Sequence, residues 1–89
     1  MIELIRYWFE FEIEDAFKAP PGIGFGCGVT AYTEEDAFSL MNKKVFHSIQ
    51  MPLIKKKIVD IDIRTLDLHV RPNMNPPNWR GVWFPLGYE

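Results

Sequence analysis

The sequence predicts an α+β fold: a small four-stranded, mainly antiparallel sheet with one amphipathic helix on one face, in the order β-β-α-β-β. Three observations carry that expectation. Residues 3–13 alternate apolar and polar side chains, the pattern of a strand buried on one face. Behind a good capping residue, Thr33, apolar side chains recur at helical spacing. Beyond Pro52, two further short runs alternate again. A chain of 89 residues forms a single domain, residues 1–89, with a thin core.

The first strand puts Ile5, Tyr7, Phe9, Phe11 and Ile13 on one face and Arg6, Trp8, Glu10 and Glu12 on the other. Acidic and small residues then lead into Ala19-Pro20-Pro21-Gly22, where two prolines end any ladder. The second strand is expected at residues 24–32. It belongs to a run in which Gly22, Gly24, Gly26 and Gly28 occupy every second position, so one face is bare backbone while Ile23, Phe25, Cys27 and Val29 point the other way. A helix starts at Thr33. Asp36, three residues on, completes a variant of the capping box, and Glu34, Glu35 and Asp36 sit at the positive end of the helix dipole. Ala37, Phe38, Leu40, Met41, Val45 and Ile49 form its apolar stripe, Phe46 falls off it, and Pro52 stops any continuation. The third strand is expected at 57–64, with Val59, Ile61 and Ile63 turned toward the helix and Asp60, Asp62 and Arg64 away. Residues 69–78 are too rich in Pro and Asn for regular structure. The fourth strand, 79–84, sends Val82 and Phe84 one way and Trp79, Gly81 and Trp83 the other, and a short tail follows.

The sheet face turned away from the helix therefore collects Trp8, Trp79 and Trp83, the glycines, Thr30, Tyr32, Arg6, Arg64 and four carboxylates. A glycine-stripped sheet face exists because something lies close against it. Three readings compete: the indoles pack flat over the glycine strand of their own sheet; the face is an interface with another protein, in which Trp and Arg serve as anchors; or it holds a small ligand against a Trp wall. The aromatic content of 15% is high for so thin a core, which favours placing some rings at an interface.

Composition narrows the chemistry. The formal net charge of −2 offers no basic excess for nucleic acid, and no stretch approaches the roughly 20 apolar residues of a membrane span. The expected compartment is the cytoplasm. Lys55-Lys56-Lys57 reads as a solvated approach to a strand. The alternating glycines lack the G-x-G-x-x-G spacing between strand and helix that cradles a dinucleotide. Glu10, Glu12, Asp60 and Asp62 would meet around a hard cation if the first and third strands were neighbours, although a solvated face balanced by Arg6 and Arg64 explains them more simply. The lone Cys27 and the separated His47 and His69 have no zinc spacing. No catalytic residue, metal ligand or cofactor is assigned.

The loop 71–80 is the second candidate surface. Pro72, Pro76 and Pro77 limit its freedom while it presents Arg71, Asn73, Asn75, Trp79 and Arg80. Together these features describe a small soluble binding domain. It would engage a protein partner, either a second copy or a foreign chain bound as an inhibitor or immunity protein would bind it, through Arg6, Trp8, Tyr32, Arg71, Asn73, Asn75, Trp79, Arg80 and Trp83. The rival is a binder of a small anionic metabolite, or a small enzyme, anchored by Arg6, Arg71 and Arg80.

Overall fold

The computed structural model describes residues 3–13, 19–47 and 49–88. Four strands, β1 (Ile5–Phe11), β2 (Cys27–Ala31), β3 (Ile54–Val59) and β4 (Gly81–Phe84), form one antiparallel sheet in the order β3-β1-β2-β4. One helix, α1 (Glu34–Met41), is continued by a π-helical turn, Asn42–Phe46. The predicted α+β architecture and element order are those observed. Residues 14–18 of the expected first loop, Ser48 and the terminal Glu89 of the tail lie outside the described residues.

α1 starts where its caps dictate. The Thr33 side chain accepts a hydrogen bond from the Asp36 amide at 3.0 Å, and the Asp36 carboxylate accepts one from the Tyr32 amide at 3.1 Å. Both satisfy backbone donors at or just before the first turn. Ala37, Leu40, Met41 and Val45 face the sheet, as the stripe predicts. Phe46 and Ile49 reverse their predicted places: Phe46 is buried and Ile49 exposed. The cause is the π turn, whose wider i→i+5 loop reduces the rotation per residue and swings Phe46 back onto the sheet. There its ring meets Phe11 edge-on at 5.4 Å. The chain then leaves the helix at His47, which adopts a positive φ of 49°.

The first core lies between α1 and the sheet. It holds Tyr7, Phe9 and Phe11 from β1, Cys27, Val29 and Ala31 from β2, Val82 from β4, and Ile23. The alternation of β1 and β2 is as expected from the sequence. Phe25 departs from it: residues 23–25 form a 3-10 turn rather than strand, so Ile23 is buried and Phe25 exposed.

A second core occupies the opposite face and corrects the expectation of an open surface there. Trp8, Ile61, Leu66, Val70, Trp83 and Phe84 form it, with Ile58, Ile63 and Met74 packed around them. Trp8 is 2% exposed and Trp83 1%. The connector between β3 and β4 lies over them as irregular chain with short 3-10 turns at Ile63–Thr65 and Arg71–Asn73. The sheet is thus sandwiched between a helical layer and an irregular one.

Three local events build this second layer. β3 is residues 54–59, earlier than the predicted 57–64, and the lysine triplet is part of it. Asp60 takes the left-handed conformation with φ 57°, a region that Asp tolerates better than most residues. The alternation expected from Val59 to Ile63 is broken there; Val59 is left exposed and Ile61 turns into the second core, its amide donating to the Arg6 carbonyl at 3.0 Å. In β4, a bulge sets two residues, Trp83 and Phe84, against the single step from Val29 to Gly28. Both side chains then share the second core, where an unbroken strand would have separated them. An equivalent irregularity at Lys55, opposite the step from Glu10 to Phe11, shifts β3 by one position. Ile54 consequently packs on the first core and Ile58 on the second, although four residues apart.

Candidate functional site

Glycine and tryptophan do meet on the second face, as packing within one chain. The Trp83 ring lies over Gly28 and the Trp8 ring against Gly26, so close that a Cβ at either glycine would overlap the indole. The two indoles stack at 6.0 Å with 29° between their planes, and Phe84 tilts against Trp8 at 5.6 Å. Of the three readings of this face, the aromatic-over-glycine arrangement is the one the geometry displays. Trp8 Nε1 donates to Glu10 Oε2 at 3.0 Å, whereas Trp83 Nε1 is buried with no hydrogen-bond partner among the described residues.

Of the predicted contact residues, Tyr32, Trp79 and Arg80 build an exposed corner. Trp79 is 73% exposed and Tyr32 45%. Arg80 is anchored to the start of α1: its Nε and Nη2 donate to the two carboxylate oxygens of Asp36 at 2.9 and 2.5 Å. This fork-on-carboxylate geometry fixes direction as well as distance. The guanidinium carbon sits 5.7 Å from the centroid of the Tyr32 ring, within cation–π range. Asp36 therefore caps the helix and holds the loop at once. The Arg80 guanidinium, with help from the Tyr32 amide, outweighs partial burial and holds the Asp36 carboxyl down at about 2.

Other tethers run along the same loop. The buried Thr30 hydroxyl donates to the Pro77 carbonyl, the Asn75 amide donates to the Trp83 carbonyl at 2.8 Å, and Asn73 Nδ2 donates to the His69 carbonyl at 2.9 Å. Asn73 and Asn75, predicted as contact residues, thus take part in shaping the loop. Beside Trp79 lies an apolar hollow of about 360 Å³ bordered by Pro76, Arg80, Gly81, Val82 and Trp83. Gly81 leaves this side open: a Cβ there would meet nothing within 4 Å.

The predicted set therefore divides. Tyr32, Trp79 and Arg80 come together at the surface, Trp8 and Trp83 are core, and Arg6 sits on β1 opposite Thr30. Arg71 is exposed in a 3-10 turn of the connector. Of the three arginines proposed for an anion, Arg80 is engaged by Asp36, and neither Arg6 nor Arg71 borders the hollow that it lines. The four carboxylates do not converge, although β1 and β3 are neighbours. Glu10 sits opposite Lys56 in strand register and its carboxylate accepts from Trp8 Nε1, while Asp62 lies beyond the end of β3 and is forked by Arg64 at 3.0 and 2.8 Å. Among the described residues no group of three His, Cys, Asp or Glu side chains is placed to hold a metal ion. Cys27 is fully buried, and burial pushes its thiol pKa up, away from the reactive thiolate.

Sequence reasoning missed two contributors. Asp36 was legible as a cap, but its ion pair spans 44 residues and leaves no local signal. Phe25, expected within a strand, instead stands over His69 with ring centroids 5.9 Å apart, at the mouth of a cleft of about 620 Å³ floored by Trp8, Ile61 and Val70. No helix among the described residues is long and apolar enough to cross a membrane. Searches against protein-family models, curated proteins and solved structures find nothing that matches this chain.

Proposed function

We propose that the protein is a binding module that pairs with a second copy of itself through the corner formed by Tyr32, Trp79 and Arg80. One observation carries this reading: a tryptophan 73% exposed stands on a loop that is tied to the fold on both sides of it. An indole kept in water by a restrained loop leaves a large apolar surface uncovered, and covering it requires little further ordering. Trp, Tyr and Arg are also the residue types that dominate binding energy at protein interfaces.

The choice of a second copy rests on shape. A projecting ring and an apolar hollow of about 360 Å³ belong to the same patch. A two-fold axis beside Trp79 seats each ring in the other copy's hollow, satisfying both at once, as an isologous interface requires. The low net charge of −2 opposes this pairing only weakly.

Sedimentation equilibrium tests the proposal. The expected result is about twice the chain mass of 10.4 kDa at roughly 50 µM protein, with Trp79→Ala monomeric and unchanged in far-UV circular dichroism. A monomer at that concentration overturns the proposal, and so does a Trp79→Ala variant that still dimerises.

A further inference from the structure

The sheet order β3-β1-β2-β4 leaves β3 at the edge opposite β4, far from the Trp79 corner in the strand sequence. β3 is hydrogen-bonded to β1 along one side and has no strand on the other among the described residues. Its outward backbone groups are a template for another strand. Lys55, Lys56 and Lys57 are exposed along it, flanked by two apolar side chains that are also exposed, Leu53 at 80% and Val59 at 52%. Lys57 bonds Glu34 at 2.6 Å; Lys55 and Lys56 have no ion pair among the described residues.

Two hollows adjoin this edge. One, of about 350 Å³, is bordered by Ile49, Met51, Pro52 and Leu53 at the start of β3. The other is the cleft of about 620 Å³, whose wall on the β3 side is Lys56 and Ile58. An added strand would run past both, with alternate side chains directed to the two sheet faces.

We propose that the outer edge of β3 accepts an acidic, extended segment of another protein chain as a fifth strand. The backbone ladder supplies affinity; acidic side chains on the face of the second core meet Lys56, while the apolar ones, on the opposite face, run toward the hollow at the start of β3, the general mode of strand addition. Charge selects the occupant. A second β3 would set lysines against lysines, and like charges directly opposite each other destabilise a pair of strands. A segment carrying Glu or Asp at alternate positions reverses that sign. The same lysines thus block self-pairing at this edge and favour an acidic partner strand.

The test uses fluorescence anisotropy with three labelled peptides: alternating Glu-Val, alternating Lys-Val, and the Glu-Val peptide with two adjacent central residues, one Val and one Glu, both replaced by Pro. The first is expected to bind and the second not. The third is expected to lose about tenfold or more, because one of any two adjacent residues donates to the ladder and proline removes that donor while most of the charge remains. Lys55→Glu combined with Lys56→Glu is expected to weaken the first peptide by at least about tenfold while far-UV circular dichroism stays unchanged. Trp79→Ala is expected to leave this affinity intact, which separates the edge from the dimer corner. Amide chemical shifts should move at residues 54–59 and not at 81–84. No binding of the Glu-Val peptide at about 1 mM overturns the proposal. Equal binding of the proline peptide also overturns it, since that outcome is charge attraction without a strand.

Discussion

A Cβ added at Gly28 would overlap Cη2 and Cζ3 of Trp83, and that indole has no room to retreat, being stacked on Trp8 and almost fully buried. Gly28→Ala is therefore expected to lower stability by about 1–3 kcal/mol, the range for overpacking a filled core. Gly24→Ala is the matched control. Its Cβ would meet nothing within 4 Å, and the change should stay within about 0.5 kcal/mol. Urea denaturation of the two variants makes the comparison; equal losses would mean that the ring can shift off the strand. Cys27 allows a second check at the same scale. Its thiol is walled into the first core with its pKa raised by burial, so it stays protonated near neutral pH. A thiol-reactive disulfide reagent is expected to leave the native protein unlabelled and to label it at the rate of unfolding.

Thr33 and Asp36 show how one element both starts itself and restrains another. Thr33→Ala removes the acceptor for the Asp36 amide and should cost about 1 kcal/mol, read from the denaturation midpoint. Asp36→Asn should do more than loosen the cap, because the same carboxylate holds Arg80. The Asp36 pKa is lowered from an ordinary 3.8 to about 2, so its contribution is complete above the ordinary value and disappears as pH falls through about 2. The stability gap between the natural protein and Asp36→Asn is expected to be constant near neutral pH and to close between about pH 4 and pH 2. A gap that does not change over that window would mean that the ionised carboxylate contributes nothing. The cap could be read from the sequence because its partners are three residues apart, and β1 because nothing interrupts its alternation. β3 and β4 were read less well for a common reason. Each contains an irregularity: in β3 the one at Lys55 interrupts the alternation near the strand's start and the left-handed Asp60 ends it, and in β4 the one at Trp83 turns Phe84 to the other face. The π turn has the same effect on α1. A period can be extrapolated only as far as its first interruption.

At the scale of the whole molecule, one sheet separates two cores, and β1 contributes to both: Tyr7, Phe9 and Phe11 on one side, Trp8 on the other. The second core stayed hidden in the sequence because its cover has no period. Ile61, Leu66, Val70 and Met74 are spread through a connector without a regular strand or an α-helix, and only the buried tryptophans beneath reveal what that connector does. Its apolar contacts and the tethers at Thr30 and Trp83 bind it to the sheet, and the one at Asp36 binds it to α1, so it should not detach before the helix does. Trp8 and Trp83 report the second core by fluorescence, and far-UV circular dichroism reports α1 on the first. In a Trp79→Ala background, where the exposed indole is gone and dimerisation is not expected, the two signals should trace a single denaturation curve. Leu66→Ala deletes apolar volume from the second core and is expected to destabilise by about 2–4 kcal/mol, moving both signals together. If fluorescence moves ahead of circular dichroism, the connector opens on its own and the two cores are independent. If both shift equally, the strands they share make them one cooperative unit, and the loop carrying Trp79 is as firmly seated as the sheet itself.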